Sequence, residues 1–139
     1  MLFFSCQRNQ SFIHEFTDGS WNYYSPVKFT FNIQDTTSAY SSYLFFRNNI
    51  NYEYQNIYFL IETIHLGKRI NLDTVQYVIA DKFGRWEGRG MGQTKDNYFI
   101  LNEDVVYNKG DYDIIIKHGM RKDLLIGTNK LGFKITKHD

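Results

Sequence analysis

The chain has one cysteine, one proline and two alanines, Ala39 and Ala80, in 139 residues. A lone thiol excludes an internal disulfide and any cysteine-based metal site. Scarce alanine argues against a helix-rich domain, since alanine is the best helix former. A net charge of +1 leaves no long-range field to steer the chain to nucleic acid. No run of about 18 apolar residues is present that would span a bilayer as a helix. There is also no internal repeat, low-complexity tract or linker, so the length suits one domain with one core.

What the chain has in quantity is aromatic and β-branched residues, including 11 Tyr and 12 Phe. Such side chains suit a pleated, half-buried surface. Val27, Phe29, Phe31 and Ile33 alternate with Lys28, Thr30 and Asn32, a strand with one buried and one wet face. Asn56 to Leu66 is apolar on both faces and reads as a central strand, turned at Gly67-Lys68 into an alternating run from Ile70 to Ile79. Further strands are predicted at Ser11–Phe16 on an edge, Tyr40–Arg47, Tyr98–Leu101, Tyr112–Lys117 and Leu131–Ile135. Met120 to Asn129 reads as an irregular connection or one helical turn. About eight strands with turn chemistry between them predict an all-β antiparallel sandwich, jelly-roll or Ig-like, with little helix. Residues 11–139 form that single domain, and residues 1–10 a signal remnant and tether. Late basic residues (Lys117, Arg121, Lys122, Lys130, Lys134, Lys137) suit a solvated sheet edge.

The most unusual stretch is Asp81 to Gly92. At strand spacing it puts Gly84, Trp86, Gly88, Gly90 and Gly92 on one face and Arg85, Glu87, Arg89 and Met91 on the other. The expected role is architectural, a bent central strand whose glycine face is covered by aromatic rings. A phosphate-binding loop is excluded by spacing: Gln93 follows where a glycine is required, and no Gly-Lys-Ser/Thr or helical pattern follows.

Catalytic constellations are not visible. His14, His65, His118 and His138 are not spaced as metal ligands on one face and read as half-exposed packing residues. Glu103 and Asp104 are adjacent and would point apart in a strand, while Asp111 and Asp113 flank a turn. No nucleophile elbow or Cys–His arrangement is present. The expectation is a non-enzyme without cofactor, metal, nucleic-acid partner or small-molecule substrate. Tyr52 and Tyr54 project together from an extended segment near Arg47, Asn48 and Asn49. Exposed rings beside guanidinium and amide groups suit a protein-binding hot spot, sugar stacking, or plain loop packing.

At the N-terminus, Met1-Leu-Phe-Phe-Ser5 before Cys6 has the form of the end of a bacterial lipoprotein signal, with Ser5 at the small position before the cut. Phe4 is bulky for its place and the charged region is missing, so either the true start lies upstream or the signal is degenerate. The alternative is an N-terminus with a free thiol.

Three separated runs then carry a likeness. Phe46-Arg-Asn-Asn-Ile-Asn-Tyr-Glu-Tyr-Gln-Asn56, Ala80 to Gly92, and Gly119-Met-Arg-Lys-Asp123 together resemble the GldH family of gliding-motility lipoproteins, in order and spacing, from about Phe12 to Ile135. The resemblance implies an envelope lipoprotein tied to the motility apparatus and to type IX secretion, also found in relatives that do not glide. It implies no catalytic site, and places the acylated cysteine at Cys6. Gln7-Arg-Asn-Gln10 lacks the acidic cluster that resembles a surface-export signal, so a periplasm-facing domain on the outer membrane is expected. The surface expected to bind envelope proteins comprises Arg47, Tyr52, Tyr54, Arg85, Trp86 and Arg89. A glycan-binding sandwich is the alternative, and a sandwich hydrolase a weaker one.

Overall fold

The computed structural model describes residues 9–80, 85, 86 and 93–138. The expected glycine face at 84–92, Arg89 and Cys6 lie outside these residues, apart from Arg85 and Trp86. The described chain forms ten strands and one short 3-10 turn at Thr17–Gly19. They are β1 (Asn9–Glu15), β2 (Ser20–Asn22), β3 (Val27–Ile33), β4 (Tyr40–Asn49), β5 (Asn56–His65), β6 (Lys68–Val78), β7 (Thr94–Val105), β8 (Gly110–His118), β9 (Leu124–Ile126) and β10 (Thr128–Lys137).

The eight longer strands make two four-stranded antiparallel sheets, ordered β1-β10-β4-β7 and β3-β8-β5-β6. Except at the β5–β6 hairpin, each of these strands is followed by one in the opposite sheet, which is jelly-roll rather than Ig-like connectivity. The additional pair, β2 with β9, was not expected. It occupies part of the stretch read as irregular and contains no helical turn. Its centre is Trp21, buried against Phe16 at 4.9 Å and donating its indole N–H to the Ser25 carbonyl at 3.2 Å.

Between the sheets the alternation read from sequence becomes the core. Val27, Phe29, Phe31 and Ile33 are all buried, as are Ile57, Phe59 and Ile61 on β5. Phe29 stacks on Phe133 at 6.3 Å and Phe31 packs against the same ring at 5.5 Å, so rings from the two sheets interleave, while Phe31 also stacks on Tyr112 of its own sheet at 5.1 Å. Burying each such ring stabilises the fold by about 2–3 kcal/mol. Strand β5 is central, as expected, between β8 and β6. The β4–β7 ladder also holds a polar device inside the core. Asn97 donates its side-chain amide to the Phe46 carbonyl and to Asn48 Oδ1, both at 2.9 Å, so the buried Asn48 oxygen is satisfied within the core.

The register gives the sandwich two distinct ends. Asn9 pairs with Thr136, Tyr40 with Val105, Ile33 with Gly110, and His65 with Tyr112 and Lys68. The Gln10 side chain bridges the sheets here, donating to the Asn32 carbonyl at 2.7 Å and accepting from its amide at 3.0 Å. The beginning of β1, the β5–β6 turn and the 106–109 loop therefore share one end. Leu66 and Gly67 form that turn with φ of 53° and 75°. Left-handed backbone costs a leucine about 1–2 kcal/mol where asparagine or glycine would be at ease. At the other end lie the 50–55 loop, Ala80, Trp86 and the 119–127 segment. Strands of ten residues separate the ends by about 30 Å.

Candidate functional site

The loop between β4 and β5 begins as an asparagine-built turn. Asn49 Oδ1 accepts the Asn51 amide at 2.8 Å and the Asn49 carbonyl accepts the Tyr52 amide at 3.1 Å. This turn rests on Gly127, whose φ is +81°, and whose amide donates to the Gly19 carbonyl at 2.9 Å. Its carbonyl accepts the Asn49 amide at the same distance. A Cβ at Gly127 would lie 2.3 Å from the Tyr52 nitrogen, so only glycine allows the two backbones to approach this closely.

That approach overturns one expectation. Tyr52 is not an exposed ring; it is 4% exposed, packed edge-on to Phe46 at 5.9 Å. Its hydroxyl donates to the Asn56 carbonyl at 2.7 Å, and burial pushes the phenol's pKa well above its usual value. Strand alternation assigned Tyr52 and Tyr54 a common side correctly in kind, but the turn at Asn49 rolls that side onto the core. Tyr52 is the floor of the site and cannot be its contact surface.

Tyr54 and Trp86 stand on that floor. Tyr54 is half-buried with its ring 5.9 Å from Tyr52, and Trp86 is half-buried with its ring 6.4 Å from Tyr52. Trp86 is placed by an antiparallel bridge to Ala80, whose amide donates to the Gln55 carbonyl at 3.1 Å. Arg85 beside it is exposed. The Gly119–Asp123 segment closes the other side. The Gly119 amide donates to the Tyr58 carbonyl at 2.7 Å, Met120 Sδ accepts the Tyr58 amide at 3.4 Å, and Lys122 pairs with Glu53 at 3.2 Å. Below it, His118 is fully buried rather than half-exposed. Its Nε2 donates to the Asp123 carbonyl at 2.9 Å and its Nδ1 accepts the Met120 amide at 3.2 Å. Burial lowers its pKa by disfavouring the charged ring, and outweighs the Asp123 carbonyl bond, which acts the other way.

Arg47 is less available than its sequence context suggested. Its Nε and Nη2 bind Asp96 at 2.6 and 3.1 Å, and the guanidinium lies 5.6 Å from the Phe45 ring. The Asp96 hydrogen bond raises its pKa. With the Lys130–Glu15 pair at 3.1 Å it forms a charged row across the outer face of the first sheet. The structure thus brings Tyr52, Tyr54, Trp86 and Arg85 to one end, with Arg47 on the adjoining sheet face.

The described residues contain no group of three or more His, Cys, Asp or Glu placed to hold a metal. At the opposite end His138 Nε2 lies 2.6 Å from Ser41 Oγ and 3.5 Å from Asp104 Oδ1. Hydroxyl and carboxylate share one ring nitrogen, so the set cannot relay a proton as a catalytic triad does.

A model of the GldH lipoprotein family matches residues 10–135. The chain belongs to the GldH lipoprotein family. The gliding motility lipoprotein GldH homolog of Christiangramia forsetii is 29% identical over 147 residues, covering 100% of this chain and 91% of that protein. Gliding motility lipoprotein GldH of Flavobacterium johnsoniae is also 29% identical, covering 100% of this chain and 92% of its own length. Among solved structures, Eiger TNF from S. frugiperda has a TM-score of 0.48 at 9% identity, covering 94% of this chain and 92% of that one. A resemblance that loose carries no functional argument. In this GldH-family chain the three runs that carried the likeness, around Phe46–Asn56, Ala80–Trp86 and Gly119–Asp123, meet at the end away from Asn9, as far as they are described.

Proposed function

We propose that the chain is a non-enzymatic scaffold or assembly factor of the gliding-motility and type IX secretion apparatus. It is held at the outer membrane by lipid on Cys6, with its domain facing the periplasm. The end carrying Tyr54, Arg85 and Trp86, together with Arg47 and Arg89, binds another envelope protein of that machinery. Tyr52 supports this surface from beneath.

The observation that carries the reading is convergence. Loops distant in sequence, rich in Tyr, Trp and Arg, meet about 30 Å from Asn9, where the strand that follows the tether begins. Half-buried aromatics on a rigid floor lose little entropy on binding, and such residues dominate interface energetics. Anchoring raises the effective concentration of the domain near other envelope proteins, so a modest surface suffices.

The test is Tyr54→Ala with Arg85→Glu and Trp86→Ala in the full chain, expressed in its own cells. Motility or secretion proteins should cease to copurify while the isolated domain keeps its circular dichroism and melting transition. Unchanged copurification from a folded variant would refute the proposed surface. Retention on cell-wall polysaccharide with the same residues required would favour glycan binding instead.

A further inference from the structure

The tethered end presents two apolar tips. Leu66, on the β5–β6 turn, is 80% exposed, more than any other large apolar side chain among the described residues. Val106, just after β7, is 62% exposed. Both are held by a ring cluster rather than hanging from loose loops. His65 stacks on Tyr112 at 4.0 Å with its Nδ1 bonded to the Asp111 carbonyl at 2.9 Å, and Tyr107 packs on Tyr112 at 5.2 Å. The two tips therefore flank one rigid platform.

Leu66 also breaks a local rule. At φ 53° before Gly67 it occupies the position of a two-residue hairpin where asparagine is favoured. A leucine that is strained there and gains no burial from its own fold is explained by something outside the fold. Position supplies the candidate. Asn9 begins β1 at this same end, three residues after Cys6, so their Cα atoms can be no more than about 11 Å apart.

We propose that this end of the sandwich rests on the lipid bilayer, with Leu66 and Val106 entering the headgroup layer. The proposal rests on the reading of Cys6 as acylated. A tether that short brings the Asn9 end to the membrane before any other surface of the domain. The charges nearby have both signs, with Lys68, Arg69 and Lys109 against Glu103 and Asp104, and Lys137 paired to Asp35 at 3.3 Å. The contact is therefore apolar, and it does not require an anionic lipid. It fixes the long axis away from the membrane, so the aromatic end points into the periplasm rather than lying against lipid.

The test couples the full chain through its single thiol, Cys6, to a maleimide lipid in vesicles of phosphatidylethanolamine and phosphatidylglycerol. Amide exchange is compared with that of the thiol-blocked chain in solution. Tethering should slow exchange at residues 64–70 and 104–109 by roughly fivefold, at low and high salt alike, and leave 50–54 and 119–123 unchanged. Leu66→Asn with Val106→Ser should return the slowed amides to their solution rates without unfolding the domain. Equal exchange on and off the vesicle, slowing at 50–54 instead, or slowing that survives the double substitution would overturn the proposal. Mass analysis of Cys6 from cells separates the two readings. An unmodified thiol there refutes the anchoring and this orientation with it, whereas an acylated thiol with unprotected tips on vesicles refutes the orientation alone.

Discussion

Replacing Gly127 by alanine isolates the contact on which the aromatic end is built. Two effects act at this position. The backbone φ of +81° penalises any L side chain, by about 1–2 kcal/mol. The new Cβ would also fall 2.3 Å from the Tyr52 nitrogen and 2.5 Å from its Cα, where no flexible side chain can swing aside. The Asn49–Tyr52 turn would have to move by about 1 Å, straining or breaking the Asn49–Gly127 bond and lifting Tyr52 from its socket. Overpacking of this kind costs about 1–3 kcal/mol and the lost hydrogen bond about 1 more. The sum, about 4 kcal/mol, is a large part of the 5–15 kcal/mol that holds a typical domain together. Gly67→Ala is the control, since φ there is +75° but nothing lies within 4 Å of the added carbon. It should cost only about 1 kcal/mol. In urea titrations with a slope of about 2 kcal/mol per molar, the midpoint should fall by about 2 M for Gly127→Ala and about 0.5 M for Gly67→Ala. Equal losses from the two substitutions would show that Tyr52 does not sit on Gly127, and the floor of the site would have to be redrawn.

Further outcomes follow from single groups. His118 is neutral and buried, with its pKa below the ordinary 6.5. The unfolded chain thus takes up its proton first as pH falls. Stability from this residue is complete above pH 6.5 and declines below it, and His118→Gln should flatten that part of a melting-temperature profile. Asp35 is held below 3.8 first by the Thr37 hydroxyl and amide, then by Ser38, with Lys137 adding to them. Its contribution is present above pH 3.8 and is lost on further acidification, a loss that Asp35→Asn removes. Asn97→Ala should cost about 2–3 kcal/mol by stranding Asn48 Oδ1, and the double change with Asn48→Ala should cost less than the sum in denaturant titrations. Ser42 Oγ is buried with no hydrogen-bond partner among the described residues, so Ser42→Ala should be neutral or slightly stabilising by thermal melt. Leu66→Asn should raise stability by about 0.5–1 kcal/mol, measured in urea, while weakening membrane contact.

Where side chains alternate along one face, sequence and structure agree residue by residue, as from Val27 to Ile33 and at Ile57, Phe59 and Ile61. That signal is local and needs only the period of a strand. The site was harder to read because its shape depends on contacts between loops. Tyr52 looked exposed because nothing near it in sequence reveals that Gly127 lies beneath it, 75 residues later. Gly127 could have been suspected as an isolated glycine in an apolar run, which usually marks close backbone approach. The strand expected to end at Arg47 runs on to Asn49, and Asn48 is buried in it because Asn97 on the paired strand supplies its donor. Trp21 and the β2–β9 pair were missed because three-residue strands have no periodicity to detect.

The central claim is a two-ended molecule, membrane below and protein above. It is tested most directly by photo-crosslinking in living cells with a reactive residue placed singly at Arg85 and at Leu66. The account predicts discrete protein adducts from position 85 and lipid adducts from position 66. Protein adducts from position 66 with none from position 85 would contradict it.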